Sequence, residues 1–167
     1  SRGLGDVYKR QAVYNAANRA VSFTSQDGNI VVECGYDDQG RRYMKKVTVN
    51  GTVASHERYL YRGYLQIAAL DMLNSRNVLR TLLWDPLEEV ATRPLALVRD
   101  NALYCYGIDF NKNVTEVFDE EGSIAAAYDY SPYGQVASTG DLVQPVQWSS
   151  EMNDGELSLV YYNYRYY

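Results

Sequence analysis

The chain contains one histidine, two cysteines and four prolines among its 167 residues. One His and two Cys cannot supply the four nitrogen and sulfur ligands of an ordinary structural zinc site. Two Cys are also too few for the disulfide framework that replaces a core in small secreted folds. No apolar run approaches the roughly eighteen residues that a membrane-spanning helix requires. Positive charge is outnumbered, with 16 Lys and Arg against 21 Asp and Glu and a net charge of −5. That balance argues against a surface held to nucleic acid through phosphates. Phe and Trp are scarce, at three and two, whereas tyrosine is abundant at 17. With 46% hydrophobic and 22% charged residues, the chain has the make-up of a folded domain rather than a disordered tail.

The tyrosines fall into a pattern. Tyr14-Asn15-Ala16-Ala17-Asn18-Arg19 matches Tyr36-Asp37-Asp38-Gln39-Gly40-Arg41, 22 residues later. Tyr106-Gly107 and Tyr128-Asp129 are also 22 residues apart. Each unit has a second turn signal past its middle, at Asp27-Gly28, Asn50-Gly51 and Glu121-Gly122. Asp or Asn followed by Gly or Asn supplies the left-handed positions of a tight turn. Between turns the side chains alternate with period two. Ile30, Val32 and Cys34 share one face, as do Tyr59 with Tyr61, and Tyr128 with Tyr130. Alternation rich in aromatic and β-branched residues is a strand pattern. The stretch 87–93 has room for a helical turn, bounded by Pro86 and Pro94. The chain therefore reads as all-β, a succession of antiparallel hairpins.

Isolated groups that invite chemistry have plainer readings. The i, i+2 tyrosines read as cross-strand packing with hydroxyls bonded inside the sheet. Asp109 to Glu120 places oxygen ligands at calcium-loop spacing, but Val114 stands where the loop needs Gly and the pattern makes the stretch a hairpin. His56 lies on a strand with no nucleophile motif beside it. Cys34 and Cys105 are expected as free, packed thiols on opposite faces. The segment from Leu157 alternates as a strand on both faces with almost no charge, and is expected to lie as an open sheet edge.

Residues 1–11, SRGLGDVYKRQ, resemble the in-frame translation of a transposase sequencing adaptor. This segment is expected to be non-native and loosely packed, with the natural sequence spanning 12–167.

The Tyr-Asp units resemble the YD repeats of the rearrangement-hotspot (RHS) family. Tyr128 to Gln135 resembles that family's Y-D-P-F-G element. Trp148-Ser149-Ser150-Glu151, followed by Glu156 to Tyr167, resembles the E-x-x-D-x-E-x-G-L-x-Y-Y-x-x-R-Y-Y signature of the RHS repeat-associated core domain, placed here at about 128–167. The repeat positions so marked are Tyr14, Arg19, Tyr36, Asp37, Gly40, Arg41, Tyr106, Tyr128, Asp129, Pro132, Tyr133 and Gly134. Those of the core signature are Trp148, Glu151, Tyr161, Tyr162, Arg165 and Tyr166. The resemblance gives all of them structural roles; no residue is assigned to catalysis, a cofactor or a metal.

The resemblance implies a YD-repeat spiral shell, incomplete at both ends in this chain. Such a shell acts as scaffold or encapsulation wall in a bacterial protein that is secreted or held at the cell surface. The partners it implies are the remainder of the parent protein, namely the missing shell strands and a C-terminal toxin or other cargo, with no nucleic acid and no membrane span. Some members cleave themselves at aspartates around a D-P-x-G motif. Here the one Asp-Pro, Asp85-Pro86, is followed by Leu87, so no enzymatic role is expected. The competing reading is a cell-surface module binding glycan or protein through tyrosine-rich sheets.

Overall fold

The computed structural model describes residues 10–87, 93–132, 135–162 and 165–166. Twelve strands form one antiparallel sheet in strict sequence order. They are β1 (Arg10–Tyr14), β2 (Ala20–Ser25), β3 (Ile30–Tyr36), β4 (Arg42–Val49), β5 (Thr52–Arg62), β6 (Leu65–Asp71), β7 (Asn77–Trp84), β8 (Pro94–Arg99), β9 (Ala102–Ile108), β10 (Val114–Phe118), β11 (Ile124–Tyr130) and β12 (Val136–Gly140). A short turn, Trp148–Ser150, leads into a second sheet of β13 (Met152–Asp154), β14 (Leu159–Tyr162) and β15 (Arg165–Tyr166). The all-β succession of hairpins is thus the observed architecture. The stretch around 87–93 expected to allow a helical turn falls largely at 88–92, outside the described residues.

Four of the loops at one end of the sheet share one construction. In 15–19, 37–41, 109–113 and 131–135, the first residue's N–H donates to the carbonyl of the fifth at 2.8–3.0 Å. The first side chain accepts the fifth N–H as well: Asn15 from Arg19, Asp37 from Arg41, Asp109 from Asn113 and Ser131 from Gln135. An oxygen-bearing side chain is required there because it replaces a backbone acceptor in the turn. Within this frame Tyr106 and Tyr128-Asp129 are not the turn-opening positions. Ile108-Asp109 and Tyr130-Ser131 open the turns, and Asp129 is exposed inside β11, opposite Ala137. The two-residue offset has a simple origin: a shift of two keeps every side chain on its face, so alternation alone cannot fix it.

Bulges recur at this end of the sheet. The register shifts between Val13 and Tyr14, Gly35 and Tyr36, Leu60 and Tyr61, and Leu83 and Trp84, just before the aromatic that ends the strand. A bulge sets two residues against one and bends the strand. Opposite these four aromatics lie Ala20, Arg42, Gln66 and Pro94, all buried. The carbonyls of Ala20, Arg42 and Gln66 receive the aromatic of the next repeat. Tyr36 donates to Ala20 O at 2.8 Å, Tyr61 to Arg42 O at 2.7 Å and Trp84 Nε1 to Gln66 O at 2.7 Å. Tyr130 donates likewise to Val114 O at 2.6 Å. A bulge leaves a carbonyl without its ladder partner, and the tyrosine hydroxyl satisfies it.

Residues from Leu142 onward cover one face of the large sheet. Val146, Met152 and Tyr161 pack with Leu82, Leu97, Val117 and Ala126, while Leu157 packs with Phe23, Val32, Cys34 and Val47. Two expectations change here. The segment from Leu157 joins the small sheet rather than the large one: β15 lies at an edge of the small sheet, as expected of an open edge, but β14 is its central strand, and Leu157 and Tyr161 are buried. Its apolar alternation serves to cover the sheet face. Residues 1–9 of the segment expected to be loosely packed lie outside the described residues, but Arg10 and Gln11 pair with Ser25 and Thr24, and Arg10 donates to Leu157 O. A strand of any sequence can satisfy an open backbone edge, so these two residues join the sheet.

Candidate functional site

The most polar part of the interior lies where the small sheet meets the large one. Arg42 opens β4 at a bulge position and Lys45 follows three residues later; both are buried. Strict alternation would send them to opposite faces. The extra residue Tyr43 in the bulge restores them to one face.

Asp154, at the end of β13, is 2% exposed and meets both cations. Its Oδ2 accepts from Arg42 Nη1, while Oδ1 accepts from Arg42 Nη2 at 3.2 Å and from Lys45 Nζ at 3.1 Å. Lys45 Nζ also reaches Glu156 at 3.0 Å. Two cations therefore face two carboxylates. Burial alone would raise the Asp154 carboxyl; the charges of Arg42 and Lys45 and their hydrogen bonds outweigh it and hold it down at about 2. The same balance keeps Arg42 and Lys45 protonated, both pushed upward against burial by the Asp154 charge.

Tyrosines complete the enclosure. The Arg42 guanidinium lies 4.3 Å from the centre of the Tyr161 ring, 5.4 Å from Tyr59 and 5.6 Å from Tyr166. Arg42 N–H donates to the Tyr161 hydroxyl at 3.1 Å and Nη1 donates to that of Tyr166. Guanidinium planes stack on aromatic faces with little loss of hydration, which makes Arg the apt cation for such a box. Beside it, Tyr166 meets Phe23 edge-on at 5.0 Å, and its hydroxyl lies 3.3 Å from Cys34 Sγ. The cluster holds no uncommitted nucleophile. What it does is fasten the small sheet, in one register, onto the face of the large one.

The repeat-signature residues serve this construction from a distance. Arg19 stacks over Tyr36 and donates to Gly40 O; Arg41 stacks over Tyr61 at 5.4 Å and donates to Gly63 O at 2.8 Å. Each Arg thus pins the next repeat's loop. Gly40 has φ +80°, and a Cβ there would lie 1.9 Å from the Arg19 guanidinium. Arg41 also pairs with Asp37 at 2.8 Å. Tyr14, ending β1, is exposed, and Pro132 lies in the exposed turn after β11. Tyr106 donates to Gln144 at 3.1 Å, and Tyr128 is buried. Trp148 meets Tyr130 edge-on at 5.7 Å. Tyr162 pairs with Arg165 across β14 and β15. Glu151 lines a small cleft beside Gln66 and Tyr161. Tyr133 and Gly134 lie outside the described residues.

The other candidates are placed as follows. Asp109 accepts N–H groups from Asn111 and Asn113, so its carboxylate organises the turn. His56 lies in β5 opposite Lys46. Both cysteines are free; Cys34 is packed as expected, whereas Cys105 is exposed rather than packed, because the outer face of β9 carries no covering layer. Sequence reasoning missed Arg42, Lys45, Asp154 and Glu156. Asp154 and Glu156 did carry a signal, since with Glu151 they fit the E-x-x-D-x-E part of the core signature. Arg42 and Lys45 carried none.

No family model matches the chain, and no curated protein matches it. Solved structures do. The crystal structure of TcdB2-TccC3 superposes with a TM-score of 0.68 at 20% identity, covering 95% of this chain and 8% of that one. A second structure, TcdB2-TccC3-TEV, gives 0.70 at 19% identity over 96% of this chain and 8% of that one. The Photorhabdus luminescens Tc holotoxin pore gives 0.67 at 20% identity over 95% and 8%. This chain has an RHS-like fold. It spans less than a tenth of the length of the toxin chains that share that fold.

Proposed function

We propose that this chain is a stretch of wall in an RHS-type β-shell, a scaffold that encloses a toxin or other cargo segment of its own parent polypeptide. The observation that carries this reading is the repeated link between hairpins. Tyr36, Tyr61, Trp84 and Tyr130 each bond a carbonyl of the preceding repeat, and the link is missing only where Ile108 stands in the aromatic position, so most of the sheet extends in sequence order by one rule. A sheet built in this way gains area indefinitely and suits a wall. The likeness to Tc toxin structures, over a small part of much longer chains, supports the same reading. It also supports a secreted or cell-surface location in a bacterium. No helix among the described residues is long and apolar enough to cross a membrane.

The charged cluster takes a structural part in this proposal. It fixes β13 and β14 against one face and so sets where the wall is two layers thick. The reading as a glycan- or protein-binding surface finds less support, because the Tyr36, Tyr61 and Tyr130 hydroxyls are committed to backbone carbonyls inside the sheet.

The parent polypeptide, expressed with an epitope tag on the segment that follows this chain, tests the proposal. Negative-stain images are expected to show hollow particles, with the tag resistant to protease until the shell is denatured. A tag cleaved as fast in the folded protein as in the denatured one would refute the enclosing role.

A further inference from the structure

A small cleft opens between the β5–β6 hairpin and the turn that precedes β13. Tyr61, Tyr64, Gln66, Trp84, Glu151 and Tyr161 line it, and it has room for one water-sized group, about 20 Å³. The Tyr61 hydroxyl donates to Arg42 O, and Trp84 Nε1 donates to Gln66 O, so these two donors are committed elsewhere. Acceptors remain. Gln66 is 3% exposed, and its Oε1 has no hydrogen-bond partner. The half-buried Glu151 carboxylate has no ion-pair partner among the described residues. Burial alone pushes its carboxyl up to about 7. Arg42, 4.3 Å from the Tyr161 ring centre, is not part of the lining and is matched by Asp154.

A carboxylate with no ion-pair partner among the described residues and an unpartnered amide oxygen, walled by four aromatic rings, make a cation receptor: a buried acceptor calls for a donor, and aromatic rings attract positive charge. A planar guanidinium exceeds the space, whereas an ammonium head is about the size of a water molecule. We propose that the cleft binds a primary alkylammonium group, with the –NH3+ head donating to Glu151 and Gln66 Oε1 and the stem passing between the tyrosines. The lysine side chain of a polypeptide and a free small amine share this chemistry. The remaining titratable groups on the lining are phenols, Tyr61 and Tyr161, both pushed up by burial, and Tyr64. Glu151 is therefore the group whose ionisation governs binding near neutral pH.

The test is a titration of the 167-residue chain with methylammonium chloride at constant ionic strength. The Trp84 indole and Gln66 amide resonances are followed by NMR. A saturable shift is expected at pH 8, weakening about tenfold at pH 6 as Glu151 takes up a proton. Tetramethylammonium, too large for the cleft, and sodium are expected to give no such shift. Glu151→Gln should abolish binding, with circular dichroism confirming the fold. Gln66→Leu should weaken binding while leaving its pH dependence intact. A peptide, acetyl-Gly-Lys-Gly-amide, is compared with its Nε-acetylated form. Binding of the peptide but not of the acetylated form assigns the site to protein lysines; binding of methylammonium alone assigns it to small amines. A non-saturating shift, an equal response to sodium, or unchanged binding in Glu151→Gln would overturn the proposal and leave a bound water as the occupant.

Discussion

Arg42 and Tyr161 lie 119 positions apart in the chain, yet the guanidinium sits 4.3 Å from the ring centre and the Arg42 amide donates to the Tyr161 hydroxyl. This one pair joins the large sheet to the small one through both backbone and side chain. Asp154 neutralises the guanidinium, so the aromatic box and the ion pair depend on each other.

Breaking the cluster should cost far more than replacing it. Asp154→Ala leaves the buried Arg42 without a carboxylate and Lys45 with the exposed Glu156 alone, and is expected to lower stability by about 3–5 kcal/mol. Arg42→Met, Lys45→Met and Asp154→Leu combined should cost much less, since no buried charge remains. Urea denaturation measures both. A single substitution no worse than the triple would mean that water reaches the cluster.

Acid should loosen the same junction. The Asp154 carboxyl is held at about 2, below its ordinary 3.8. A carboxyl lowered by folding adds stability above its unfolded value, and this is lost as pH falls through the folded one, here roughly 2 kcal/mol. Denaturation midpoints between pH 4 and pH 2 should fall more steeply for the natural chain than for the apolar triple variant.

Glu151 acts in the opposite sense. Its folded value, about 7, lies above the ordinary 4.5. The folded chain binds the extra proton in that window, so stability should decline as pH rises from 4.5 to 7, by about 1–3 kcal/mol. Glu151→Gln should flatten this slope and leave the acid limb intact. Thermal unfolding across the window would show a slope unaltered by the substitution if the carboxyl were fully hydrated.

Two glycines with the same backbone should differ on substitution. Gly40 has φ +80° and Gly51 has φ +78°, but the space beside Gly51 is open while Arg19 fills that beside Gly40. Gly51→Ala is expected to cost about 1 kcal/mol from backbone strain alone. Gly40→Ala should cost about 1.5–3 kcal/mol more, the scale of one hydrogen bond to a charged group. In an Arg19→Gln background the two costs should converge; persistence of the gap would place its cause elsewhere.

Thiol reactivity should separate the cysteines. Cys34 is buried, and that burial pushes its thiol up, whereas Cys105 is exposed. A disulfide reagent at pH 8 should modify Cys105 within minutes and Cys34 only on unfolding. Simultaneous modification of both would show that the layer over Cys34 opens readily.

Alternation and turn chemistry sufficed for the hairpin order. Asn15, Asp37 and Asp109 need no distant partner, because each closes a turn with a backbone N–H four residues on. Placing the leading tyrosine in the later repeats was harder: Tyr106 and Ile108 share a face, and pattern cannot choose between them.

The sequence by itself determined an all-β chain of hairpins and, in the first two repeats, the leading tyrosine and the turn it opens, because strand pairing and tight turns are local and answer to near neighbours. Only the tertiary structure decided which polar residues meet. Arg42 and Lys45 share a face because a bulge adds Tyr43 between them, and a single added residue reverses every later side chain. Asp154 then reaches them because the segment after Leu142 folds back over the sheet. Glu151 and Gln66 come together for the same reason. Such meetings depend on strand register and on which face is covered, and neither leaves a periodic mark in the chain.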